Sequence, residues 1–173
     1  MDKTNYGAGL KNGKIKSSAG VEYDINAVIE VTGDKEQVET EIKGDDELKV
    51  TFVSNVTENL SIKANAISFD VLQAITSNAM ASSADGIEMP LGTLDEMNPP
   101  YIEVWAETAG KSEDGTVITI KKIWHKVQIK SVKVNQSSET EFNVEMAGIA
   151  YQTDEDVEGN DLPSKRVATL HVV

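Results

Sequence analysis

Carboxylates are the residues best suited by type to chemistry in this chain. Their sharpest cluster is DEDVEGN, residues 154–160. Asp154, Asp156 and Glu158, followed by Gly159, match the first, third, fifth and sixth positions of a helix–loop–helix calcium loop. The twelfth position of such a loop needs a bidentate glutamate. Here it is Lys165, and no amphipathic helix flanks the run. A solvated acidic loop is the plainer reading, and Gly44-Asp45-Asp46-Glu47 poses the same choice.

Other chemistries are poorly supplied. His125 and His171 are the only histidines, and both lie in extended stretches in phase with apolar neighbours. A histidine without a spaced partner reads as a packing or sheet-edge residue rather than a general base or metal ligand. Cysteine is absent, which removes disulfides, thiolate metal sites and thiol nucleophiles together. No serine sits in a G-x-S-x-G turn. A hydrolase with paired acids is formally open, but no spacing singles out a pair. The expectation is a protein that is not an enzyme and has no cofactor or metal. A glycan-binding sandwich using Tyr101, Trp105 or Trp124 is the weaker alternative.

Lys111 to Lys133 gathers six lysines against two acids, alternating with Ile and Val. Alone it suggests a polyanion-binding strand. A basic sheet edge facing an acidic neighbour fits equally well, within the chain or between stacked copies, where Lys121, Lys122, Lys126, Lys130 and Lys133 would meet the acidic 153–161 loop or the 36–53 hairpin of the next copy.

The elements that must carry these residues are mostly strands. In VETEIKGDDELKVTF, residues 38–52, Val38, Thr40 and Ile42 alternate with Glu39, Glu41 and Lys43; after the turn, Leu48, Val50 and Phe52 resume the apolar phase. Side chains alternate across a strand, so this predicts a hairpin with one dry and one acidic face. Before it, residues 21–31 predict a first strand; after it, 53–67 predict a strand pair around Thr57-Glu58-Asn59. The one helix is expected over 69–79, with Ser68 as N-cap, Asp70 in the first turn, and Phe69, Leu72, Ile75 and Ala79 on one face. Residues 80–100 hold three of the four prolines and read as a long connector.

Further strands are expected from Tyr101, around a Glu113-Asp114-Gly115 turn, and over 117–134, 139–151 and 166–173. In 117–134 the apolar phase slips, which places a β-bulge near Ser131. Eight to ten strands with one helix predict a mainly β fold, a β-sandwich or barrel with a short flanking helix. Residues 1–20, rich in Gly, Ser, Asn and Lys, are expected to form a mobile arm carrying Lys11, Lys14 and Lys16; residues 21–173 make the single domain.

The chain has 173 residues and a formal net charge of -13, with Arg166 its only arginine. Such a surface disfavours a sequence-reading nucleic-acid binder. No run approaches the ~20 apolar residues of a membrane span, and the first residues have no apolar core of a secretory signal.

Taken in order, an N-terminal arm, the pair around GDD, the helix SFDVLQAIT, an irregular loop, the strands YIEVWAETAG and TVITIKKIWHKVQIKSVKV, and FNVEMAGIAYQT resemble the major tail tube proteins of long-tailed, siphovirus-type bacteriophages. The resemblance runs from about Tyr6 to the end. It implies a β-sandwich with a flanking helix that assembles as hexameric rings stacked into a hollow tube, with strands of the six copies forming a continuous inner barrel. It also implies tape-measure, tail-tip and tail-terminator proteins as partners, assembly in the host cytoplasm, and passage of DNA through the lumen. Carried onto this chain, it places Glu39, Glu41 and Glu47 toward the lumen. Lys11, Lys14, Lys16, Lys121, Lys122, Lys126, Asp154 and Asp156 become candidate contacts between copies. A head decoration or tail completion protein on a similar sandwich is the alternative.

Overall fold

The computed structural model describes residues 10–25, 28–44, 47–88, 98–111, 115–135 and 143–172, and for 38–44 and 47–55 it describes the backbone. Residues 1–9 of the expected arm, Asp45 and Asp46 of the acidic turn, 89–97 of the connector, Glu113 and Asp114, and 139–142 lie outside them.

The fold is mainly β. In chain order the elements are β1 Leu10–Ser17, β2 Glu22–Ile25, β3 Val28–Gly44, β4 Glu47–Ala64, α1 Phe69–Thr76, β5 Ala81–Ser83, β6 Gly86–Glu88, β7 Ile102–Lys111, β8 Val117–Asn135, β9 Asn143–Tyr151, β10 Thr153–Glu155, β11 Asp161–Arg166 and β12 Ala168–Val172. One antiparallel sheet runs β2-β1-β7-β8-β9-β4-β3, and β12 also pairs with β8; β5-β6 and β10-β11 are separate small hairpins.

The long strand β8 serves two halves of this sheet. Its first part pairs with β7 and β12, and from Val127 onward it pairs with β9. The register with β9 shifts between Ile129 and Ser131, which is the bulge the phase slip predicts. Strands far apart in the sheet order nevertheless touch. A Cβ on Gly13 of β1 would lie 2.7 Å from Val28 of β3, and one on Gly33 of β3 would lie 3.2 Å from Trp124 Nε1 of β8. The sheet is therefore folded over, with its two halves facing each other without closing into a hydrogen-bonded barrel.

The alternating inward residues of both halves fill one core. Ile15, Ile25, Val104 and Trp124 on one side meet Leu60, Ile62, Val144 and Met146 on the other, joined by Val71, Leu72 and Ile75 of α1. Burial of these side chains is the main force holding the halves together, at about 25 cal/mol per Å² of apolar surface removed from water. The helix begins as expected: Ser68 accepts a hydrogen bond from Val71 N at 3.3 Å. It ends earlier, at Thr76, because Ser77 takes a left-handed conformation (φ 62°) and Thr76 Oγ1 bonds back to Leu72 O at 2.7 Å. Phe69 is half exposed, and Val71 takes the inward place expected for it.

Three other expectations change. Residues 10–17 are a strand paired with β7 and, over Gly13 to Lys16, with β2 as well, with Ile15 fully buried, so the arm does not extend to residue 20. Thr57-Glu58-Asn59 is not a turn but the middle of β4. Within the 80–100 connector, residues 81–88 form the β5-β6 hairpin.

Candidate assembly surface

The β3-β4 hairpin outgrows the sheet that supports it. β9 braces β4 from Thr57 to Ala64, whereas from Glu47 to Val56 β4 pairs with β3 alone among the described residues. Among the described residues the far half of the hairpin is thus a two-stranded ribbon with both outer edges unpaired. Two register shifts lie in it, between Val38 and Glu39 and between Ile42 and Lys43, and each skips one residue of β4.

Those shifts rearrange the expected faces. Thr40 pairs with Phe52, Ile42 with Val50, Glu39 with Val53 and Glu41 with Thr51, as alternation predicts. After the second shift, however, Leu48 stands opposite Lys43 and Glu47 opposite Gly44. Glu47 therefore leaves the row of Glu39 and Glu41, because Gly44 alternates out of step with both. β3 itself is unbroken from Glu30 to Gly44. By its alternation Glu39 and Glu41 continue the phase of Val31 and Gly33, which faces the core lower down. Val38, Thr40 and Ile42 continue the outward phase of Glu30, Thr32, Asp34 and Glu36.

On the outward face of β3-β4-β9-β8 the register aligns residues in rows. Glu30, Lys63, Glu145 and Lys133 form one, with Lys63 Nζ 3.2 Å from Glu30 Oε2. The next row is Thr32, Ser61, Ala147 and Ser131. Sequence reasoning missed these rows. The alternation within each strand was visible, but the pairing that aligns four strands was not.

The other half carries most of the predicted lysines, and several find partners within the chain. Lys14 Nζ lies 3.4 Å from Asp24 and 3.5 Å from Glu22, and 5.4 Å above the Trp105 ring. The charge of Asp24, then hydrogen bonding and Glu22, raise its pKa against a smaller desolvation effect. Lys16 pairs with Glu158 of the acidic loop, and that hydrogen bond raises its pKa. Lys11 falls at the register shift between Leu10 and Asn12. Lys121 and Lys126 rest over rings, 3.7 Å from the Trp105 centroid and 4.7 Å from that of Tyr101. Tyr101 in turn meets Tyr151 edge-on at 6.0 Å. Lys126, Tyr101, Ser18, Thr153, Glu155 and Asp156 line a shallow cleft of about 310 Å³. Asp154 is exposed beside it.

Lys122 sits at one end of the core. Its Nζ is 2.9 Å from Glu58 Oε2, which also accepts from Trp124 Nε1 at 2.6 Å. His125, buried on the outer phase, touches Glu103 Oε2 through Nδ1 at 3.2 Å and Thr169 Oγ1 through Nε2 at 2.7 Å. The order Thr-His-Glu resembles a nucleophile relay, but here it spans three neighbouring strands and fastens β12 to β8 and β7. His171 is exposed on β12.

The residues of the acidic 154–160 run form the β10-β11 hairpin and its tip. Asp156 Oδ1 accepts from the backbone N–H of Glu158 and of Asn160, both at 2.9 Å, and Oδ2 accepts from Asn160 Nδ2 at 2.9 Å. Gly159 supplies the positive φ of 85° that the turn needs. The carboxylate is thus occupied in holding the turn. Partial burial pushes its pKa up, but the Asn160 and Glu158 hydrogen bonds and the charge of Lys16 outweigh it and hold the group below its usual range. A depressed carboxylate stabilises the fold above its unfolded pKa and loses that contribution as pH falls through the folded value. Protection of the Glu158 and Asn160 amides, measured by hydrogen exchange, should therefore be constant above pH ~4, the ordinary aspartate range, and fall below it. Asp156→Ala should show the low protection already at neutral pH.

Compared with models of known protein families and with curated proteins, the chain matches none.

Proposed function

We propose that this chain is a structural virion protein that polymerises with itself, as stacked hexameric rings, into the hollow tail tube of a long-tailed bacteriophage. The observation that carries the reading is the β3-β4 ribbon. A two-stranded hairpin alone is marginal in water, and long unpaired edges invite association. A protein that invests its longest strand pairing in such a projection has a use for it when a neighbour completes the sheet.

The charge supports the same reading. A net of -13 with a single arginine gives few phosphate clamps and repels DNA, which suits a conduit that DNA must leave without sticking. The outward face of β3-β4-β9-β8 suits a lumen, because its charges alternate in sign and the adjoining row is small and mostly polar. Glu39 and Glu41, on the opposite phase of the ribbon, are then contacts to an adjacent copy and not lumen residues. Tape-measure, tail-tip and tail-terminator proteins would be the partners of the finished tube.

Electron microscopy of the purified protein, concentrated stepwise at neutral pH, tests this reading. Long hollow tubes are expected. Discrete trimers or single rings at every concentration would instead favour a head decoration or tail completion protein.

A further inference from the structure

We propose that residues 153–166 form a flap, spliced into an otherwise continuous strand of the sheet and latched shut at its tip by the Lys16–Glu158 ion pair. The flap belongs to the single copy and stands apart from the assembly reading.

The register shows the splice. β9 and β12 both run antiparallel to β8, Ala150 pairing with Val127 and Ala168 with Trp124. At both places β7 holds the opposite edge of β8, through Ile102 and Val104. β9 and β12 are therefore two parts of one strand. Along β8 the interval from Val127 to Trp124 is three residue steps, whereas on the other side it contains the whole β10-β11 hairpin. If Gln152 were joined directly to Val167, Ala150 and Ala168 would stand four steps apart. An even number keeps both alanines on one face, and a single extra residue is the count of a β-bulge. The sheet does not need the hairpin to connect its strands.

The hairpin is held at two points with a gap between them. Among the described residues β10 and β11 pair only with each other, and apart from Thr153 their residues are exposed or half-buried. The base is fixed by the buried Thr153 on one side and by the buried Val167 on the other, whose carbonyl accepts from His125 N at 3.4 Å. The tip is fixed at the turn between β1 and β2. Glu158 pairs there with Lys16, and Gly20 makes room for it: a Cβ on Gly20 would lie 2.6 Å from Glu158 Oε1. Between base and tip, the cleft of about 310 Å³ separates Glu155, Asp156 and Val157 of the hairpin from Ser18, Tyr101 and Lys126 of the body.

A lone two-stranded hairpin is marginal in water, and a unit with few buried contacts opens separately from the core. Its latch is built to release. The Lys16 and Glu158 side chains are 21% and 36% exposed, and pairs of that kind are weak and screened by salt. Lys16 also interacts with the charges of Glu103 on β7 and of Asp156. Without its ammonium, Glu158, Asp156 and Glu103 would be left to repel one another, and the flap would swing away from Tyr101 and Lys126.

Hydrogen exchange of the full-length monomer at neutral pH, resolved by peptide, tests the flap. Lys16→Ala should speed exchange over 153–166 roughly two- to fivefold, the range of an exposed ion pair. Raising the salt from about 0.1 M to about 1 M should do the same to the unsubstituted protein. In both experiments β9 and β12 should keep their rates. The chain has no cysteine, so Lys16→Cys/Glu158→Cys protein can form only the bridge that replaces the ion pair. Once oxidised, it should exchange more slowly over 153–166 than the unsubstituted protein and lose the salt response. Equal acceleration in β9 and β12 would show that hairpin and sheet open as one unit, and unchanged rates over 153–166 would show that the latch holds nothing; either result overturns the proposal. Direct fusion of Gln152 to Val167 should leave a folded protein with a β circular-dichroism spectrum. A fused chain that fails to fold would show that the sheet depends on the hairpin, and would overturn the splice.

Discussion

Glu39→Lys/Glu41→Lys protein is expected to remain folded and monomeric at concentrations where the unsubstituted protein is proposed to form tubes. The two glutamates stand on the ribbon beyond the last residue that β9 braces, so reversing them costs the body of the domain little. By register they share the phase of Val31 and Gly33 on β3, the side that the proposed assembly gives to another copy. In the proposed assembly the receiving lysines would be Lys121 and Lys126, whose ammonium groups lie over Trp105 and Tyr101. Placing like charges together across an interface costs several kcal/mol, and ~3 kcal/mol per joint corresponds to a roughly 100-fold higher critical concentration. Pelleting assays across a concentration series give that number directly. If the variant tubes form at the normal concentration and only DNA passage changes, the two residues line the lumen and the contact assignment is wrong.

Glu58→Ala should have the largest effect on the isolated subunit. Glu58 is a largely buried carboxylate, 13% exposed, that accepts from both Lys122 Nζ and Trp124 Nε1. It fits because its diagonal neighbour on β3 is Gly33; a Cβ there would come within 2.6 Å of the carboxylate. Removing the acceptor leaves an indole N–H and an ammonium without their partner. Losing hydrogen bonds to a charged group costs about 2–3 kcal/mol, and for a domain of this size that lowers the melting temperature by roughly 4–10 °C. Glu58→Gln keeps one acceptor for the indole and should fall between the two. Calorimetry of the three proteins under non-assembling conditions checks the order. Equal melting temperatures would mean that the cluster contributes nothing to stability.

How much of this was legible in the sequence depended on the range of the interaction. Ser68 and the bulge near Ser131 were readable because an N-cap and a phase slip are written in a few adjacent residues. The β class followed from alternation in the same way. The assignment of 57–59 as a turn failed because Thr, Glu and Asn suit turns locally, while Glu58 is held in β4 by Lys122 and Trp124, more than sixty residues away. The arm was drawn too long for a similar reason. Residues 10–17 have little apolar content, but β7 supplies a ladder that needs only backbone and one buried isoleucine. Asp156 has the spacing of a metal ligand within a loop read as solvated, and the turn geometry that occupies its oxygens has no signature in spacing. The register shifts that move Leu48 and Glu47 out of their rows likewise leave the pattern VETEIKGDDELKVTF unchanged.

The order of strands in the sheet also sets an order in time. A ribosome finishes β3 and β4 long before β8 and β9, which brace them, and it must reach β7 before β1 has its second neighbour. During synthesis the nascent chain therefore carries a complete hairpin with nothing behind it, on polysomes where other nascent hairpins stand close by. Its acidic residues then act as spacers, since hairpins of like charge repel one another. Only when β8 and β9 have emerged is β4 braced over Thr57 to Ala64, so the hairpin gains its support near the end of translation.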